Sequence, residues 1–300
     1  MSILVNLMSV DYAQVLATGT TYGAIFGAIA LGYHLIYVSS GMLNFALGEQ
    51  LAISGLGVIS LQAFGLPLIP AIMVALLVAG LFGAGYERIA LRPAMRMGLI
   101  GPLIASVGVS IVIAQGRVLI WGPNPRPFPP FTGEPNQAVD FLGGRWQIQS
   151  FWIIGLVTLS TLCLLVFLRY TSLGRAWRAT SQSPVGARLS GINPSLIAMS
   201  SVALASVLVT VAGIAIAPLV LAGGFYGLNF GVRAFAAAIL GGFSSTGGVL
   251  VGGLVIGLLD AWLAAALSVA WSEIALYGLL ILVLLIRPTG FFGREVVTRS

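Results

Sequence analysis

Residues 169–195, RYTSLGRAWRATSQSPVGARLSGINPS, form the longest polar segment between two apolar stretches of this 300-residue sequence. The segment holds four arginines and contains no acidic residue. Because Lys and Arg near membrane-spanning helices are retained on the cytoplasmic side, it predicts a cytoplasmic loop. Ser183 followed by Pro184 predicts the start of a short helix, and Gly191 predicts its end. A helix in such a loop indicates a docking surface, although a loop that only maintains topology explains the spacing equally well.

The rest of the sequence is strongly apolar, with 58% hydrophobic residues, 7% charged residues and a mean hydropathy of +1.05. Soluble domains carry about 25% charged residues, so a soluble globular fold is excluded. Several apolar runs reach the roughly 20 residues that a helix needs to cross a bilayer. The sequence therefore predicts an all-α polytopic membrane protein with about eight or nine spans, including broken or half helices. We expect residues 1–300 to form a single transmembrane domain.

Composition also excludes several functions. All 14 basic residues are arginines, and a P-loop ATPase needs a lysine to reach the phosphates, so this chain does not hydrolyse ATP itself. The basic residues lie at membrane edges and form no nucleic-acid-binding patch. With one histidine and one cysteine, and no motif of a nucleophile or a metal site, we expect no catalytic residues, no metal and no enzymatic activity.

The distribution of charge predicts the topology. Residues 122–148 are rich in proline and their charges balance, so we expect an outer loop. Ten of the fourteen arginines fall instead in the loop after the third apolar run, in segment 169–195 and in the C-terminal tail, which includes Arg287, Arg294 and Arg299. These three regions are expected to be cytoplasmic, and the N-terminus is then expected to lie outside.

Polar residues within the spans are candidates for a solute path. Asn44, Glu49 and Gln50 follow the helix break at 39–43, and charged side chains in spans usually face the bundle interior or a water-filled cavity. The alternative for Glu49 is an interfacial position or a structural hydrogen bond. His34 is expected to be a packed or interfacial residue and not a ligand, and Arg117 is expected to extend to the interface near Trp121.

Glycines predict one further feature of the bundle. The sequence GGFSSTGG lies in the middle of an apolar run from about Arg233 to Trp262, and irregular backbone at membrane depth must be covered by protein or line a cavity. We therefore expect a broken or hinged helix there, with the hinge formed by Gly241, Gly242, Gly247 and Gly248.

Along nearly its whole length, the chain resembles the permease subunits of branched-chain (hydrophobic) amino-acid ABC importers. The resemblance is carried by GMLNFALGE at 41–49, ERIALRPAMR at 87–96, LGRAWRATSQSPVGARLSGIN at 173–193, AFAAAILGGFSSTGGVLVGGLVIGLLD at 234–260 and ILVLLIRPTGFFGR at 281–294. Leu47 departs from the family, which often has His or Gln there, and implies a more apolar solute contact if this position faces the path.

The resemblance implies a permease of the bacterial inner membrane that imports a small solute by alternating access. It implies two ATP-binding subunits, a second related permease chain forming a heterodimer, surrounding membrane lipid and a periplasmic solute-binding protein. No cofactor is implied, since the partner subunits bind the ATP. Segment 173–193 would dock on an ATPase subunit through Arg175, Arg178, Pro184, Ala187, Arg188 and Gly191.

The solute implied by the resemblance is a branched-chain or other hydrophobic amino acid. Urea, short amides and small carboxylates remain alternatives within the same importer class. An ATP-independent channel or secondary transporter is an alternative of another class; it would need its own coupling ion, and therefore more intramembrane carboxylates or an inverted repeat.

Overall fold

The computed structural model describes residues 10–98, 100–134, 137–267, 269–287 and 290–293, so Arg294 and Arg299 lie outside the described residues. In chain order the helices are α1 Tyr12–Ser40, α2 Ala46–Ala63, α3 Leu68–Tyr86, α4 Ile100–Trp121, α5 Ile148–Tyr170, α6 Ser172–Gln182, α7 Pro184–Leu189, α8 Pro194–Val220, α9 Gly227–Gly241, α10 Thr246–Ala266 and α11 Val269–Ile286. A π-helical turn, Glu87–Leu91, and two short helical turns extend α3 to Met97. An antiparallel hairpin of β1 Ala138–Phe141 and β2 Gly144–Gln147 lies within the loop between α4 and α5.

The expected all-α polytopic fold is confirmed. Within the described residues, six helices are long and apolar enough to cross a membrane: α1, α3 with its extension, α4, α5, α8 and α10. Helix α9 and the apolar part of α11 are shorter. Together with α2, these helices agree with about eight or nine spans that include half helices.

Helix α1 lies at the centre of the bundle, and most of its second half is buried. Its small residues meet a matching row on α10, because a Cβ atom at Gly253 or Gly257 would collide with the backbone of Gly27 or Gly23. Without side chains at the crossing, the two backbones pack directly against each other. Gly19, Gly23 and Gly27, which recur every four residues along α1, thus form a helix-packing surface.

The glycine-rich segment 241–248 reverses the chain. Gly242 has φ +86°, and Ser245 caps α10 by accepting a hydrogen bond from the Gly248 N–H at 3.1 Å. A Cβ atom at Gly248 would collide with the Gly241 carbonyl, and one at Gly252 would collide with that of Ala237, so α9 and α10 are antiparallel. They form a helical hairpin that reverses the chain within 233–262, where the sequence predicts a broken or hinged helix. Nothing lies within 4 Å of a Cβ atom built at Gly247.

Helix α9 begins inside the bundle. Its first residue, Gly227, packs against the Glu49 carboxylate in the first turn of α2, and the Tyr33 hydroxyl donates to the Gly231 carbonyl at 3.2 Å. From there α9 extends toward the side of the bundle where α6 and α7 lie, since the turn after it contacts the end of α1 beside α6. The turn before α9 ends at Tyr226, because the helix has started by Gly227.

Candidate functional site

Helix α7 is capped as the sequence predicts. The Ser183 hydroxyl accepts a hydrogen bond from the Gly186 N–H at 3.0 Å, and Pro184 occupies the first helical position. Beyond its end, Gly191 has φ +78°, a left-handed conformation that glycine adopts without a steric penalty. The polar segment therefore holds two short helices, α6 and α7, between the long helices α5 and α8.

One face of α7 is anchored and the other is exposed. Ala187 is buried, whereas Val185 and Leu189 are 67% and 87% exposed, and Arg188 is exposed beside them. Residues four apart lie on the same face of a helix, so the two apolar side chains form one projecting patch. This pair is not among the candidate residues predicted from the sequence, although two apolar residues spaced by four in an otherwise polar loop are a usable signal.

The arginines of α6 have different surroundings. Arg175 is exposed, and its guanidinium lies 3.5 Å from the Tyr170 carbonyl. Arg178 donates to the Leu168 carbonyl, and to the Arg169 carbonyl at 3.3 Å, at the C-terminal end of α5. These carbonyls belong to the last turn of a helix, where carbonyls lack intrahelical partners, so Arg178 supports the start of the polar segment.

His34 connects three elements near α6. Its Nδ1 lies 2.7 Å from the Phe243 carbonyl and its Nε2 lies 2.9 Å from the Thr246 hydroxyl. A carbonyl only accepts, so Nδ1 carries the proton and Nε2 accepts from Thr246. The Trp177 ring of α6 lies 5.9 Å from the imidazole, centroid to centroid, and its Nε1–H donates to the Leu35 carbonyl at 3.4 Å. His34 is thus a packed residue, as expected, and it joins α1 and α6 to the α9–α10 turn.

A cavity of about 420 Å³ lies between the polar segment and the ends of α1, α3 and α8. Glu87, which lines it, is fully buried and pairs with Arg92 at 2.8 Å. Arg92 also donates to the Ser195 carbonyl at 3.0 Å, at the start of α8. Arg92, held by Glu87, thus connects the extension of α3 to the start of α8 beside α6 and α7.

Of the four candidate path residues, Asn44 and Leu47 are held in the packed bundle. Asn44 is fully buried; its amide nitrogen donates to the Tyr86 hydroxyl, and its Oδ1 accepts from the Ala46 N–H at 3.1 Å. Leu47 is fully buried, and a Cβ atom on Gly32 of α1 would lie 3.1 Å from it. Asn44 therefore starts α2 and holds it to α3, while Leu47 packs on α1.

Glu49 faces the start of α9. Its carboxylate accepts a hydrogen bond from the Leu228 N–H, and Gly227 leaves the space that it occupies. A carboxylate at a helix N-terminus pairs with free N–H groups and with the positive end of the helix dipole. Glu49 thus caps a helix that begins within the membrane, which is the structural alternative stated for it above.

Arg117 supports the turn before α9, which is formed by residues 221–226. It is 2% exposed, donates to the Gly223 carbonyl and, at 2.8 Å, to the Gly224 carbonyl, and lies 4.2 Å from the Phe225 ring centroid. The expectation that Arg117 extends to the interface is therefore wrong. The turn before α9 presents backbone carbonyls inside the bundle, and the guanidinium satisfies them there.

The Gln50 side chain lies on a different face of α2 from that of Glu49. It lines a cavity of about 330 Å³ between α2, α3, α4 and α8, and the side chain is 4% exposed. It lies beside the Tyr86 hydroxyl, yet within the described part of the chain neither amide atom makes a hydrogen bond of ordinary geometry. Of the four candidate path residues, Gln50 is the one that borders this open space.

A charge cluster joins α9, α10 and α11. Arg233 pairs with Asp260 and with Glu273, each at 3.2 Å. Arg233 is 9% exposed, so its charge is neutralised within the protein and not by solvent. Among the described residues, no group of three or more His, Cys, Asp or Glu side chains is placed to hold a metal ion.

Comparisons with known proteins agree with this architecture. A family model described as the permease component of branched-chain amino acid transport systems matches residues 15–284. The chain is 32% identical over 308 residues to the high-affinity branched-chain amino acid transport system permease protein LivH of Escherichia coli K12, covering 96% of this chain and 97% of the relative. Identity to the corresponding protein BraD of Pseudomonas aeruginosa is 32% over 309 residues, covering 96% and 98%. The ribose import permease protein RbsC of Escherichia coli K12 is 28% identical over 244 residues, covering 77% and 72%. No solved structure matches significantly.

Proposed function

Because the chain belongs to the family of permease components of branched-chain amino acid transport systems, we propose that it moves a branched-chain or other hydrophobic amino acid inward across the bacterial inner membrane. The six apolar helices and the permease relatives make it a multi-pass protein of that membrane. These relatives are transport permeases and not enzymes. The match over residues 15–284 is the observation that carries the proposal.

The energy for import comes from partner subunits in this proposal. The chain has no lysine with which to build a P-loop, so two ATP-binding subunits supply the hydrolysis. Helix α7 supports the docking role, because Val185 and Leu189 project from it next to Arg188. An apolar patch beside a cation fits a groove with an acidic rim. In this arrangement Arg175, Pro184 and Gly191 lie around the contact, while Arg178 and Ala187 hold the segment in place.

Docking at α7 acts on the membrane helices through α6 in this mechanism. Trp177 of α6 packs on His34, which bonds to the turn between α9 and α10. A displacement of α6 on ATP binding would therefore move α1 and the α9–α10 hairpin together. Alternating access follows if that movement opens the path on one side of the membrane and closes it on the other.

The remaining partners follow from the same proposal. A second, related permease chain pairs with this one in the membrane, and a periplasmic binding protein delivers the solute to the outer face, which includes residues 122–148. Gln50 borders the solute path, with Asn44, Leu47 and Glu49 holding α2 against α3, α1 and α9 behind it.

The docking role is tested by Leu189→Asp in the complex with its ATPase subunits, second permease and binding protein. A charge at a buried apolar contact is costly, so we expect ATPase recovery and leucine uptake to fall by about tenfold or more. Leu142→Asp in the outer hairpin is the matched control for ATPase recovery, which it should leave unchanged, because Leu142 is also an exposed leucine, at 73%. Full ATPase recovery with Leu189→Asp would contradict docking through α7, and absence of leucine uptake by the unaltered complex would contradict the proposed solute.

A further inference from the structure

The cavity beside Gln50 has the size and the lining of a small-molecule site. Its volume of about 330 Å³ lies at the lower end of the roughly 300–1,000 Å³ typical of ligand pockets. Apolar side chains of α2 and α3 form much of its wall, including Ile53, Leu61, Val78 and Phe82. Polar groups come from Gln50, Ser54, Ser60 and Thr210, and from Trp121 of α4.

Most of these polar groups already have partners. The Ser54 hydroxyl donates to the main-chain carbonyl of Gln50 at 2.6 Å, and the Trp121 Nε1–H donates to the Ser60 hydroxyl at 2.6 Å. The side-chain amide of Gln50 differs, because it lies beside the Tyr86 hydroxyl but, among the described residues, neither its nitrogen nor its oxygen makes a hydrogen bond of ordinary geometry. A buried polar group without a partner is costly, so a group that binds both atoms would be stabilised here.

The residues that line the cavity select against solutes that carry a net charge. Among the described residues, no Asp, Glu, Arg or His lines this cavity. A solute with a net charge would therefore have no counter-ion in a low-dielectric environment, which is strongly unfavourable. A zwitterionic α-amino acid has no net charge, and its ammonium and carboxylate are close enough together to pair with one amide. The ammonium donates to Oε1 while the carboxylate accepts from Nε2.

We propose that the cavity between α2, α3, α4 and α8 is an intramembrane subsite for the zwitterion of an aliphatic amino acid, held by the Gln50 amide with its aliphatic side chain against Ile53, Val78 and Phe82. The inference rests on the proposed function and adds the location and the recognition chemistry. It assigns selection against charged amino acids to the permease itself, in addition to the binding protein.

The test is protection of an introduced cysteine by leucine. Ser54→Cys is placed in a Cys163→Ala background, in the assembled complex without the binding protein, and is modified by a small methanethiosulfonate reagent. At a leucine concentration about twice the dissociation constant, modification should slow by about threefold, and glutamate and arginine should not slow it. Adding Gln50→Leu should abolish the protection, whereas Gln62→Leu, on the same helix but away from the cavity lining, should leave it unchanged.

The outcomes separate this inference from the proposed function. Leucine uptake by the complete complex without any protection at position 54 would overturn the subsite, and the cavity would then be a lipid-filled groove, while the import function would stand. Equal protection by leucine, glutamate and arginine would overturn the selection by charge. If the complete complex takes up no leucine, the proposed function itself fails.

Discussion

Arg175 and Arg178 lie three residues apart on α6, yet their guanidinium groups have different surroundings. Arg175 is exposed, whereas Arg178 donates to two carbonyls at the end of α5. A guanidinium carries five donors in a fixed geometry, which suits it to adjacent backbone carbonyls. At this scale, Arg175 is available to a partner and Arg178 belongs to the architecture of the loop.

The two arginines therefore respond differently to substitution. Arg178→Gln should destabilise the purified permease by about 1–3 kcal/mol, because charge-assisted hydrogen bonds to the α5 carbonyls are lost. Arg175→Gln, the matched control, should leave the thermal unfolding midpoint unchanged but weaken ATPase retention, most strongly at low ionic strength, where the charge is least screened. The measurements are thermal unfolding in detergent and co-purification. A midpoint for Arg178→Gln equal to that of the unaltered protein would contradict the capping role.

Glu49 illustrates a carboxylate whose role depends on one distant residue. Its carboxylate reaches the Leu228 N–H because Gly227 has no Cβ atom, and one there would lie 2.7 Å from the carboxylate carbon. The residue type of Glu49 and its depth in the span are compatible with two roles, which are lining a solute path and making a structural hydrogen bond. The neighbouring Gln50 is only one position further along α2, but it faces the cavity.

At the scale of elements, His34 is the junction between the polar segment and the bundle. It contacts Trp177 of α6, and it bonds to Phe243 and Thr246 on the two sides of the α9–α10 turn. The turn itself has a glycine with φ +86° at its start and a serine cap at its end, so its shape is defined locally. A rigid turn held by one side chain can transmit a movement of α6 to two helices.

The variant His34→Phe should keep the ring contact with Trp177 but lose both hydrogen bonds. We expect ATPase subunits to bind and hydrolyse ATP while leucine uptake per ATP falls about thirtyfold, since the two lost hydrogen bonds are worth about 1 kcal/mol each. Thr20→Val is the control, because its hydroxyl bonds to carbonyls of α1 itself. The measurement is uptake and hydrolysis in the same proteoliposomes, and an unchanged ratio for His34→Phe would exclude the junction from coupling.

At the scale of the whole molecule, the short polar helices and the β hairpin lie at opposite ends of the bundle. The short helices α6 and α7 lie at the same end as the α9–α10 turn, while the hairpin of β1 and β2 lies at the other end, where Gly144 packs against Ala13 at the start of α1. Among the described residues, Arg92 and segment 169–195 lie at the first end, which the charge distribution predicts to be cytoplasmic.

Orientation is tested by labelling cysteines from each side of intact membrane vesicles in the Cys163→Ala background. Ser183→Cys, at the exposed cap of α7, should react with an impermeant maleimide only from the cytoplasmic side. Asp140→Cys, exposed on the β1–β2 hairpin, should react only from the outside. The reverse pattern would invert the topology and remove α7 from contact with any cytoplasmic ATPase.

Local sequence features were sufficient to predict much of the fold and topology of this protein. Hydropathy determines that the chain spans the membrane as helices, because lipid requires every backbone group to be bonded within the span. The arginine distribution predicts the orientation, and Ser183, Pro184 and Gly191 predict the short helix α7, since capping involves only adjacent residues. The four-residue spacing of Gly19, Gly23 and Gly27 is also visible in the sequence, but the helix against which they pack is not.

Contacts between distant segments were decided only by the tertiary structure. Burial of Arg117 depends on the carbonyls of Gly223 and Gly224, more than a hundred residues away. The hairpin of α9 and α10 depends on the pairing of Gly241 with Gly248 and of Ala237 with Gly252. Whether Glu49 or Gln50 faces open space depends on which helices surround α2. Sequence periodicity in a membrane span cannot separate these cases, because lipid-facing and protein-facing surfaces are both apolar.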